Sequence, residues 1–84
     1  MVKGVCDSCM PKREYSNMIG KENVTVFASE NVLPEGTLIW VDGVGIRQVQ
    51  TVYSDYNGIF VYFDTHKEVK LFGEKEALVF EILE

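Results

Sequence analysis

No run of apolar residues approaches the roughly 20 that a membrane-crossing helix needs, and no membrane span is expected. Basic charge is also scarce. Eight Lys and Arg stand against thirteen Asp and Glu, for a formal net charge of -5. The basic residues are dispersed, and the closest grouping, Lys12 with Arg13, is too short to track a phosphate backbone. Nucleic acid is therefore not an expected partner. Residues 1–10 lack the apolar core of a secretory signal, which makes a cytoplasmic location the default expectation.

Metal-binding residues are few. Cys6 and Cys9 form a C-x-x-C spacing, and His66 is the single histidine. A structural zinc site takes four ligands, so these three leave it one short unless Asp7 joins. A weak zinc site, a redox pair and ordinary structural cysteines all stay open for Cys6 and Cys9. No βαβ pattern follows them that would mark a thioredoxin-like site. No cofactor is expected.

What is present is ordinary globular composition, with 46% hydrophobic and 12% aromatic residues over 84 positions. That length suits a single domain, 1–84. Residues 1–23 read as a short strand over 2–6 and an irregular loop, with Pro11, Asn17, Gly20 and Asn23 breaking any period. From 24 onward strand patterns follow closely at 24–28, 37–41, 46–53, 59–63 and 77–83. They are separated by a Leu33–Gly36 turn with Pro second and Gly fourth and by hairpin signals at Asp42-Gly43 and Asn57-Gly58. One helix is expected near 65–72. Thr65 and Glu68 have capping-box spacing, Val69 and Phe72 share a face, and Gly73 stands where helices stop. The expected fold class is mostly β: a small six-stranded barrel over 24–84 with one short helix.

Two segments, Leu33–Gly45 (LPEGTLIWVDGVG) and Val61–Gly73 (VYFDTHKEVKLFG), the latter followed by the 77–83 strand, carry a family likeness. In the order and spacing of their turns they resemble the three-aspartate domain family. Its double-psi β-barrel is related to that of membrane-bound lytic transglycosylase A. The resemblance spans about residues 24 to 83. It implies a cell-wall context and an acid-catalysed cleavage of glycan. The aspartates that name the family are not retained. Glu30 stands at the first position, Gln50–Tyr53 replaces the segment of the second, and Phe60 occupies the third. Thr51 and Phe60 supply neither a proton donor nor a base. Weak catalytic candidates are Glu30 and a displaced Asp55.

For binding, Tyr53 and Tyr56 flank the polar 54–58 loop and, with Asp55, form the candidate site. Trp40 and Tyr62 lie in apolar strands and are expected in the core. His66 is expected solvated in the first helical turn. Glu74, Glu76, Glu81 and Glu84 form an acidic face, either plainly solvated or suited to a basic partner. The residues Lys12 to Tyr15 are an open loop candidate for binding. The function expected is a catalytically degenerate module that binds a cell-wall glycan or a protein, from a phage or prophage context. The alternatives are a phage-type inhibitor of a host enzyme and an active peptidoglycan lytic enzyme. Oligomeric state is not legible.

Overall fold

A computed structural model describes residues 1–6, 8, 22–53 and 55–82. Among them are eight strands and one helix: β1 (Val2–Val5), β2 (Thr25–Ser29), β3 (Leu38–Val41), β4 (Gly45–Gln48), β5 (Gln50–Val52), β6 (Ile59–Tyr62), α1 (His66–Phe72), β7 (Glu74–Lys75) and β8 (Val79–Glu81). They form a large sheet in the order β5-β2-β6-β1-β7 and a small sheet in the order β4-β3-β8. The mostly-β class holds. The count of six strands does not, because the 46–53 strand is divided at Val49 and β7 forms between helix and final strand. Strand pairing among the described residues does not close the two sheets into a barrel.

The large sheet mixes directions. β6 runs parallel to β1 and antiparallel to β2, and β2 runs parallel to β5. Both faces of β6 are covered, so its sequence Ile59-Phe60-Val61-Tyr62 is uniformly buried and apolar rather than alternating. Its side chains divide by the period of two. Ile59 and Val61 join Val2, Val26, Ala28, Phe63 and the inward residues of the small sheet, Ile39 and Val41. Phe60 and Tyr62 join Val5, Phe27 and Val52 on the opposite face.

The small sheet attaches through a corner. Val49 is 1% exposed; its N–H donates to Thr37 O at 2.9 Å and its C=O accepts from Gly36 N–H at 2.9 Å. The chain therefore passes from β4 in one sheet to β5 in the other without leaving a polar group stranded. The Pro-containing turn closes one residue later than the spacing suggests. Thr37 N–H donates to Pro34 O, which places Gly36 third with φ 84, the left-handed position that glycine fills without strain. Asp42-Gly43 does join a hairpin, β3 to β4. Asn57-Gly58 does not, because β5 and β6 both pair with β2 and not with each other.

Helix α1 starts at its expected cap. The Thr65 hydroxyl accepts from Glu68 N–H and donates to the Glu68 carboxylate at 3.0 Å, so the return contact is to the hydroxyl and not to the backbone amide. Gly73, at φ 70, ends the helix by donating its N–H to Val69 O at 2.7 Å. A Cβ at Gly4 would meet the rings of Phe63 and Phe72 at 3.2 and 3.3 Å. Glycine there lets the helix settle on β1 through the tilted Phe63–Phe72 pair, 5.3 Å between centroids.

Candidate functional site

Three groups of side chains compete as the site. The first is the one the sequence nominates. The parallel register Ser29↔Val52 sends the chain out of β2 and β5 at the same end of the large sheet. Glu30 therefore leaves that end together with Tyr53 and Asp55. Both carboxylates are exposed. Tyr53 is 78% exposed. Tyr56 is half-buried: its ring lies 4.9 Å from that of Phe60, and its hydroxyl donates to Glu74 Oε2 at 2.8 Å. Lys3 Nζ stands 5.8 Å from the same ring. A Cβ at Gly58 would collide with Met1 O and lie 2.5 Å from the Tyr56 ring, so the loop folds back tightly on the start of β1. Tyr56 ties that loop to β7.

Phe60 and Thr51 both have structural roles. Phe60 is 1% exposed in the core. Thr51 is bonded to Glu35, whose Oε2 accepts from the Thr51 N–H at 2.5 Å and from its hydroxyl at 2.8 Å. These two bonds, the backbone one first, hold the Glu35 carboxyl below its ordinary range. Their effect is to latch the 34–37 turn onto β5.

The second group is at the opposite end of the large sheet. Cys6 is buried, with Sγ 3.2 Å from Ser8 Oγ and 3.6 Å from His66 Nδ1. Sequence separation of 60 residues hides this contact; it arises because β1 and β6 are parallel and end side by side, with α1 beginning just after β6. Cys9, Asp7, Lys12–Tyr15 and Glu84 lie outside the described residues. Among the described residues no three His, Cys, Asp or Glu side chains gather as a metal site.

The third group was not legible from sequence. Trp40, expected in the core, projects from the outer face of the small sheet. The registers Trp40↔Ile46 and Trp40↔Phe80 set three large side chains in a row across β4, β3 and β8. Trp40 and Phe80 stack at 5.8 Å with an interplanar angle of 27°. Ile46 is 59% and Phe80 57% exposed, and Leu78 beside them is 62% exposed. Leu38 shares this face, one pair along. A contiguous apolar patch on a domain that already has its core inside marks an interaction surface. Leu38-Ile39-Trp40-Val41 is apolar at every position, so nothing in the residues says which pair turns outward; in the structure Ile39 and Val41 fill the core, which leaves Leu38 and Trp40 on the other side.

No family model matches the chain, and neither a curated protein nor a solved structure matches it.

Proposed function

We propose that this chain is a binding module without catalytic chemistry of its own, and that its partner is a protein held on the outer face of the small sheet. The observation that carries this is the outward Ile46–Trp40–Phe80 row, in which exposed Ile46 and Phe80 flank a half-buried Trp40. Stacked aromatics flanked by aliphatic side chains are the composition of an interface centre. A glycan fits this face less well. Sugar hydroxyls need polar groups beside the stacking ring, whereas the neighbours of Trp40 are Leu38, Ile46 and Phe80. Gln48, opposite Leu38 on the same face, donates from Nε2 to Gly36 O at 3.2 Å.

Catalysis has little support. General-acid chemistry at neutral pH needs a carboxyl held in an apolar cleft, and Glu30 and Asp55 are both exposed. Phe60 and Thr51, at two of the family's aspartate positions, are committed to core and latch. The reading of the fold as a partly open double-psi barrel of the three-aspartate family draws support from three features. These are the interlocked parallel pairs β1/β6 and β2/β5, the strand shared between sheets at Val49, and the short helix ending Phe72-Gly73. Inhibition of a host enzyme by a phage-encoded module is one role such a surface serves.

The test is capture from bacterial lysate beside turbidity clearing of purified cell walls. A protein retained by the wild type and by Tyr53→Ala, but lost with Phe80→Ser, supports the reading. Wall clearing that disappears in Glu30→Gln overturns it. Retention on walls that depends on Tyr53 and not on Phe80 replaces the protein partner by a glycan at the first group of residues.

A further inference from the structure

The apolar row stops at an open edge. Among the described residues β8 has a neighbour on one side only, β3. Ile82 N–H donates to Leu38 O at 2.8 Å, and Leu78 C=O accepts from Asp42 N–H at 2.9 Å. Main-chain groups alternate sides along a strand. With Leu78 and Ile82 turned toward β3, the N–H and C=O groups of Val79 and Glu81 face outward, away from the sheet. Phe80, between them, carries its ring on the outer face at the end of the row. An edge of this kind, apolar on one face and unpaired along its backbone, is a template for another strand.

The charge around it selects the strand. Through residues 33–53 and 76–82, which build the small sheet and its borders, the charged side chains are Glu35, Asp42, Glu76, Glu81 and Arg47. The Arg47 guanidinium is turned onto backbone, donating to Ile46 O at 2.7 Å and to Val24 O at 3.3 Å. Four carboxylates thus belong to this sheet and its borders, and Glu81 lies on the open strand itself, exposed on the face opposite Phe80. A second copy of the chain would bring another net charge of -5 to the same edge, which disfavours self-pairing.

We infer that β8 receives an extended segment of a basic protein as an added strand. The segment alternates apolar side chains, which prolong the row beside Phe80, with Lys or Arg, which meet Glu81 and Glu76. This rests on the protein-partner reading above and adds the geometry and chemistry of the partner.

The probe is a capped nine-residue peptide alternating lysine and leucine, with a glutamate–leucine counterpart, each titrated into the isotope-labelled protein. The lysine peptide should shift the amide resonances of Val79 through Glu81, slow hydrogen exchange at the Val79 and Glu81 amides, and alter Trp40 fluorescence. Binding should weaken about tenfold or more between 50 and 200 mM salt, since several charge pairs form. Glu81→Lys, at an exposed site, should reverse the preference toward the glutamate peptide. Glu81→Pro, which removes an outward N–H, should abolish exchange protection, whereas Glu81→Gln should keep it at reduced affinity. Trp40 fluorescence changes without protection at Val79 and Glu81 overturn strand addition and leave face docking standing. No response to either peptide, or concentration-dependent dimerisation lost with Glu81→Pro, overturns the inference. Loss of lysate capture with Phe80→Ser is read separately and decides the protein-partner reading itself.

Discussion

The two sheets are built from similar residues and use them differently. In the large sheet β6 is apolar at every position and buried on both faces. In the small sheet β3 is just as apolar, yet only Ile39 and Val41 are buried, and Leu38 and Trp40 belong to the outer side. The difference lies in what covers each face. The large sheet carries a core cluster on either side; the small sheet has one only beneath it. Apolar side chains therefore hold the fold in one region and remain available to a partner in the other.

The sharpest way to break that contrast is at Phe60. Phe60→Ala should destabilise the chain by about 3–5 kcal/mol, the usual loss for a buried ring, measured by denaturant unfolding. Phe60→Asp should prevent folding, because it buries an unpaired charge. A folded, wall-clearing Phe60→Asp protein would contradict the assignment of this position to the core.

Gly58→Ala comes next. The added Cβ meets Met1 O and the Tyr56 ring, and relieving that contact means moving backbone, so a loss of about 1–3 kcal/mol is expected. Tyr56→Phe, which removes the bond to Glu74, should cost about 1 kcal/mol. The small sheet should behave oppositely. Phe80→Ser ought to change unfolding free energy by no more than about 1 kcal/mol, since the ring is more than half exposed. Its loss of partner binding should reach about 2 kcal/mol or more if the row is the interface centre. Equal effects on folding and binding would erase the distinction between the sheets.

The smallest effect is the pH response of the Glu35–Thr51 latch. The folded-state pKa of Glu35 is depressed, so its contribution is present above the ordinary glutamate value and is lost as pH falls through the lower folded value. Thermal unfolding of wild type and Glu35→Gln should differ at neutral pH and draw together in acid, as pH falls below the ordinary glutamate value and through the lower folded one. A difference that persists unchanged at low pH would show that the carboxylate charge is not what fastens the turn.

Much of the local structure was legible in the residues. Thr65, Glu68 and Gly73 specify both ends of α1, because capping depends on groups within four positions of each other. Asp42-Gly43 joins a hairpin because its turn is local. Asn57-Gly58 carries the same kind of signal and makes no hairpin, because the strands before and after it both found better partners on β2. Val24, at φ 58, shows the same override: a β-branched residue rarely enters the left-handed region, and it is held there by Val24 N–H to Tyr62 O at 2.6 Å.

The candidate site divides along the same line. Sequence determined that the chain is mostly β, which strands are apolar, and where the helix starts and stops. Each of these depends on neighbours in the chain. Tertiary structure alone decided that Tyr56 is tied to Glu74, that Cys6 meets His66, and that Trp40 faces outward beside Phe80, 40 positions away. An apolar strand reads the same whether one of its faces is covered or both are, and coverage is set by which distant strands pair with it.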